Sequence, residues 1–174
     1  KTALAIHTDT SRLTYGELAH RVAKTRGCLN DLGLTRGDTI AVQLPKSVTF
    51  IELLLACFAN GIVILPLNPA YTTREVAYYL KNSKANLGIL DTVPPDLTVD
   101  SRLIRATDVQ RLIDQSAPSY HGTTEVLSDD PAMLMYTSGT TGKPKGAVLS
   151  HANILATISS LHTAWRWTAD DRLL

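Results

Sequence analysis

Apolar and polar positions follow two periods along this chain, and the switches between them mark its elements. Leu18, Val22, Leu29 and Leu32 recur at helical intervals behind Thr14 and Glu17, which have the spacing of a capping box, and Gly33 supplies a stop. A short apolar strand is expected over 39–44, ended by Pro45. Ser47 caps a second helix reaching about residue 60, and Gly61 turns the chain into a strand over 62–65. Thr72 and Glu75 repeat the capping-box spacing and open a helix to about residue 83, with a strand over 87–90 behind it. Apolar strands alternating with helices predict a layered α/β fold, a mostly parallel sheet flanked by helices.

Between 91 and 127 the pattern weakens. Pro94 and Pro95 interrupt it, 107–115 reads as a short helix, and 116–125 reads as a polar connector. A strand over 133–137, a glycine-rich loop, a second strand over 147–149 and a helix from Ser150 follow. One compact unit is expected, with 92–127 as its joint.

Composition narrows the function classes. A net charge of +1 advertises neither nucleic acid nor a strongly charged partner. The apolar stretch over 50–67 contains Glu52, a break at Asn60-Gly61 and Pro66, so it predicts a buried helix and strand and no membrane span. Cys28 and Cys57 lack metal-ligand spacing and read as buried free thiols, in keeping with a reduced, cytoplasmic compartment. The chain opens at Lys1 and stops at Leu174 without a closing turn, so a piece of a longer protein is expected, with room for a targeting segment upstream.

The chemistry concentrates in one decapeptide: Thr137, Ser138, Gly139, Thr140, Thr141, Gly142, Lys143, Pro144, Lys145 and Gly146. Glycines let backbone N–H groups turn inward, hydroxyls donate to phosphate oxygens, and ammonium groups oppose their charge. A Walker A motif is excluded. That motif needs glycine five residues before its Gly-Lys pair and a hydroxyl after the lysine, whereas Thr137 and Pro144 stand there. Pro144 pushes Lys143 towards an extended conformation, which would aim Lys143 and Lys145 from one face at a shared anion. A solvated turn that merely carries two lysines is the plainer alternative.

From Tyr136 through Asn153 the segment resembles, ungapped, the nucleotide-phosphate loop of the adenylate-forming superfamily: acyl-CoA synthetases, peptide-synthetase adenylation domains and luciferases. The resemblance extends to 13–18, 36–42 and 65–69, and is faint over 92–127. Residues 43–47, 67–72 and 165–171 further resemble the malonyl-CoA synthetase branch. The resemblance implies a carboxylate, ATP, Mg²⁺ and coenzyme A as reactants, with acyl-AMP formed first and the acyl group then passed to coenzyme A. It places residues 137–146 around the β- and γ-phosphates, with Ser138, Thr140 and Thr141 giving hydroxyls, Lys143 and Lys145 giving counter-charge, and Gly139, Gly142 and Gly146 giving curvature. It also implies that residues 1–174 are an incomplete N-terminal part of the AMP-binding domain, without the C-terminal domain. The metal-linked glutamate, the ribose-binding aspartate and the adenylation lysine would lie elsewhere, leaving no catalytic or metal residue here and the piece inactive alone. Two other functions remain open, a non-catalytic nucleotide- or partner-binding relative and an adenylation domain that loads a carrier protein.

Other residues read plainly. His151 and Asn153 are expected to serve the helix start after Ser150, not the nucleotide. His7, His20, His121 and His162 are scattered and form no metal pattern. Trp165 and Trp167 are expected to pack in the core or stack on Arg166, and Asp170 and Asp171 to sit in a solvated turn. A piece of this kind exposes sheet edges and helix faces, so self-association is expected.

Overall fold

A computed structural model describes residues 3–7, 11–120, 125–137, 144–168 and 171. Two short strands, β1 (Leu4–His7) and β2 (Arg12–Thr14), pair antiparallel ahead of the first helix, α1 (Tyr15–Asp31). The Thr14 hydroxyl accepts from the Glu17 amide at 3.2 Å, and the Glu17 carboxylate accepts from the Thr14 amide at 2.8 Å. That reciprocal pair satisfies two helix-start donors at once.

Alternation then proceeds as β3 (Thr39–Gln43), α2 (Val48–Asn60), β4 (Val63–Pro66), α3 (Thr73–Ser83) and β5 (Leu87–Leu90). Gly61 ends α2 in the left-handed region at φ 66°, where a Cβ would be strained. Next come β6 (Arg102–Arg105), α4 (Ala106–Gln115), β7 (Pro131–Thr137), β8 (Lys145–Ser150) and α5 (His151–Trp165). The main sheet has the order β6-β5-β3-β4-β7-β8, with every neighbouring pair parallel except β7 with β8.

Side chains alternate across the central strands, and each face has its own core. Ile40, Val42, Ile64, Leu87 and Ile89 meet Leu29 of α1, Leu53 and Ala56 of α2, and Val109 and Ile113 of α4. Ala41, Leu65 and Leu90 turn the other way and meet Val76, Tyr79 and Leu80 of α3. Both faces are dry, which is why β3 to β5 read as unbroken apolar runs. Each fully buried Leu or Ile contributes about 1.5–3 kcal/mol relative to exposure.

Cys28 and Cys57 are buried free thiols, and burial pushes both thiols up from their ordinary range. Glu52 of α2, fully buried, is ion-paired with Arg21 of α1. Among the described residues no helix is long and apolar enough to cross a membrane.

Three features depart from the sequence expectations. β6 was not foreseen, because Arg102 and Arg105 bracket only two apolar residues. As an edge strand it needs no more, and its arginines guard the edge. Residues 116–120 do not hang as a free connector. The Ser119 amide donates to the Ala23 carbonyl at 2.8 Å, and Arg26 donates to the Tyr120 carbonyl at 3.1 Å. Trp165 is neither in a core nor stacked on Arg166: it is 58% exposed and lies 5.2 Å from the Trp167 ring, centroid to centroid. The cause is that α5 carries no buried residue at all, since β8 is the last strand of the sheet among the described residues.

Candidate functional site

The parallel strands all end on one side of the sheet, and the glycine-rich span starts there, at the carboxyl end of β7. Ligands of open α/β sheets bind outside those ends. Thr137, the last residue of β7, faces Lys145, the first of β8. The two ends of the span are therefore held strand to strand. Pro144, half-buried, stands one residue before the paired position, and Lys145 and Gly146 are exposed. Ser138, Gly139, Thr140, Thr141, Gly142 and Lys143 lie outside the described residues.

Gly146 is a strand residue and not a point of positive φ. Glycine serves a different need there. A Cβ on residue 146 would come within 3.1 Å of Leu134 Cδ1, a tight contact, and would touch the Tyr136 ring at 3.4 Å from Cζ.

Tyr136 joins an aromatic cluster on α3, 4.8 Å from Tyr79 and 6.4 Å from Tyr78 between centroids. Tyr79 is anchored in the core and packs 5.0 Å from Tyr71. Burial pushes the Tyr79 phenol up to about 12, and burial with the nearby Tyr78 raises Tyr136 as well. Tyr79 and Tyr136 thus keep their protons at neutral pH. Tyr136 Oη donates to Asn82 Oδ1 at 2.5 Å, and Tyr78 Oη donates to the Pro144 carbonyl at 3.2 Å. Sequence reasoning missed Tyr78 and Asn82, for nothing local links α3 to a loop about sixty residues later.

The neighbouring strand ends carry a second tied segment. Gln43, buried at the end of β3, holds with its two Nε2 hydrogens the carbonyls of Asn68, Pro69 and Tyr71, which lie 3.2, 3.3 and 3.2 Å from that nitrogen and share them. Gln43, Tyr71, Thr73 and Asp91 border a cavity of about 190 Å³. A larger hollow of about 620 Å³ runs along α3 between Arg74, Lys81, Lys84 and residues 98–101, with Tyr78 in its lining.

His151 lies at the far end of the hairpin. Ser150 pairs with Pro131 and Lys145 with Thr137, so five residues of extended strand, about 17 Å, separate His151 from the loop. The helix start is capped by Ser150 and Asn153, whose side chains receive each other's backbone amides at 3.3 and 3.0 Å. His151 packs edge-on against Phe58 at 5.7 Å, with Nε2 buried and unpartnered. The Asp171 carboxylate accepts from the Thr168 amide at 2.6 Å, as a turn would require.

This parallel sheet with a glycine-rich hairpin at its strand ends defines a class, and the chain belongs to the AMP-binding enzyme family, whose model matches residues 1–174. Among curated relatives it is 32% identical over 150 residues to 2-succinylbenzoate–CoA ligase of Bacillus licheniformis, covering 86% of this chain and 31% of that protein. It is 33% identical over 177 residues to feruloyl-CoA synthase of Amycolatopsis sp., covering 99% and 35%. The structure of ATP-bound MatB from Rhodopseudomonas palustris superimposes with a TM-score of 0.87 at 33% identity, covering 97% of this chain and 36% of MatB. The chain thus spans about a third of the length of these relatives.

Proposed function

We propose that this chain is the N-terminal part of an ATP-dependent acyl-CoA synthetase, and that residues 137–146 form the wall of its active site that holds the β- and γ-phosphates. In the reaction a carboxylate oxygen bonds to the α-phosphorus of ATP while the bond to the bridging oxygen breaks, and pyrophosphate leaves with the electron pair. The thiol of coenzyme A then attacks the acyl carbon, AMP departs, and the thiol proton is released. Negative charge grows on pyrophosphate in the first step, where preplaced hydrogen-bond donors and cations lower the barrier. Ser138, Thr140 and Thr141 supply the hydroxyls, Lys143 and Lys145 the cations, and Gly139 and Gly142 the turning backbone.

The observation that carries this reading is the pairing of Thr137 with Lys145 at the carboxyl ends of the parallel strands. It closes a span rich in Gly, Thr and Lys where α/β sheets bind ligands. Family membership, relatives named as CoA ligases and an ATP-bound structural neighbour support it. Among the described residues no group of three or more His, Cys, Asp or Glu could hold a metal ion. The contribution proposed for this chain is the loop's donors and cations.

For the acid we propose malonate or methylmalonate, on the resemblance of residues 43–47, 67–72 and 165–171. A second reading is an adenylation domain that loads a carrier protein. It is favoured by 30% identity, over 99% of this chain, to the probable non-canonical nonribosomal peptide synthetase CymA of Salinispora arenicola. ATP–pyrophosphate exchange by the full-length protein, screened over malonate, methylmalonate, acetate, aryl acids and fatty acids, tests the assignment. Acyl transfer to coenzyme A or to a carrier then separates the two readings. Exchange with none of these acids, or an unchanged rate in Lys145→Ala, overturns the proposed phosphate role. The 174 residues alone are expected to neither adenylate nor thioesterify.

A further inference from the structure

Both stems of the glycine-rich loop are tied to one face of one helix. On the β7 side, Tyr136 directly precedes Thr137 and donates from Oη to Asn82 Oδ1 at 2.5 Å. On the β8 side, Tyr78 donates from Oη to the carbonyl of Pro144 at 3.2 Å. Tyr78 and Asn82 are four residues apart on α3 and therefore neighbours on its surface. Pro144 has no N–H, so that carbonyl is its one backbone hydrogen-bonding group, and it lies just beyond the last paired position of the hairpin. The peptide it anchors stands between Lys143 and Lys145.

We propose that Tyr78 and Tyr136 are positioning residues for the phosphate loop. Their phenol hydroxyls fix Tyr136 and Pro144, at the two described ends of the span, on α3. The proposal rests on the phosphate-binding reading of residues 137–146. Neither hydroxyl is needed to hold the fold, which has strand pairing from Pro131 to Thr137 and a ring cluster seated on buried Tyr79. Removing a hydroxyl leaves those in place and frees one stem. Tyr78 also lines the hollow along α3, so its ring has room to swing away once the bond to Pro144 is lost.

The test is steady-state ATP–pyrophosphate exchange by the full-length protein carrying Tyr78→Phe, Tyr136→Phe, Asn82→Ala or Lys145→Ala, with thermal unfolding of each. Loosening the loop raises KM for ATP and for pyrophosphate, about fivefold to tenfold in Tyr78→Phe. KM for the carboxylate and the unfolding midpoint stay at their wild-type values. A merely structural role would instead lower the midpoint and the active fraction and leave every KM unchanged. Asn82→Ala removes the Tyr136 acceptor without touching a ring, and is expected to match Tyr136→Phe. Tyr78→Phe combined with Asn82→Ala should depart from additivity, because both act on one loop. Tyr120→Phe, which removes a phenol bonded to His20, leaves the constants unchanged. Wild-type KM values in Tyr78→Phe and Asn82→Ala, beside an impaired Lys145→Ala, overturn the positioning role and spare the phosphate reading. An unimpaired Lys145→Ala overturns both.

Discussion

Tyr136 faces Gly146 across the β7–β8 pair, and a Cβ at 146 would stand 3.1 Å from Leu134 Cδ1 and 3.4 Å from the Tyr136 ring. The contact lies where β8 leaves the loop, beside the tyrosine cluster on α3. A β-branched side chain at that position must displace Leu134 or the Tyr136 ring, and with the ring goes its bond to Asn82. Gly146→Val in the full-length protein is expected to lower ATP–pyrophosphate exchange on the order of 10- to 100-fold, the usual scale for small misplacements of catalytic groups. Exchange within twofold of wild type would refute the packing role assigned to this glycine.

A second glycine is predicted to matter for stability alone. Gly27 of α1 lies beneath the segment that follows α4, and a Cβ there would stand 2.0 Å from the Ala117 carbonyl oxygen. That oxygen belongs to backbone already fixed by the Ser119–Ala23 bond, so it has little freedom to yield. Gly27→Ala is expected to cost about 1–3 kcal/mol, the range for overpacking a tight core. At about 2–4 °C per kcal/mol for a chain of this size, thermal denaturation should show the fall. An unchanged midpoint would mean that the 116–120 segment does not sit on α1.

Much of this was legible where the cause is local. The capping boxes at Thr14–Glu17 and Thr72–Glu75 need only residues three apart, and both formed. Gly61 ended α2 because its conformation is written in its lack of a Cβ. Strand β6 was hidden because an edge strand with arginines at both ends carries little apolar signal. The tie between Tyr78 and Pro144 spans 66 residues and depends on which strand lies beside which, and no local pattern states that. For Trp165 the sequence pattern misled: an apolar helix implies a buried face, but burial needs a partner layer that the described residues do not provide.

That uncovered helix leads to a prediction for the 174-residue chain itself. Leu155 and Ile158 are 60% and 52% exposed and three residues apart, so they form one apolar patch on α5. Sedimentation velocity of this chain should show a weight-average mass that rises with concentration. Leu155→Glu combined with Ile158→Glu should suppress the rise. A monomer at all concentrations, or a double variant that associates like the wild type, would remove α5 as the contact.

The last prediction concerns pH. Glu52 is wholly buried and has one carboxylate oxygen without a partner, while Arg21 holds the other and is itself partly in solvent. Burial raises the Glu52 carboxyl above its ordinary value of 4.5, and Arg21 opposes that rise without cancelling it. A folded state that holds a proton more tightly than the unfolded chain loses stability as pH climbs between the two values. Below 4.5 both states are protonated and the penalty vanishes; above the raised value it is complete. Arg21→Met removes the opposing charge, so it should widen that window and cost most at neutral pH. The loss should sit near the low end of about 3–5 kcal/mol for breaking a buried pair, because Arg21 is partly solvated. Glu52→Gln abolishes the titration and should flatten its share of the pH dependence. Urea unfolding of wild type and both variants between pH 5 and 8 measures this directly. Parallel stability curves for wild type and Arg21→Met would show that Glu52 does not carry a buried charge.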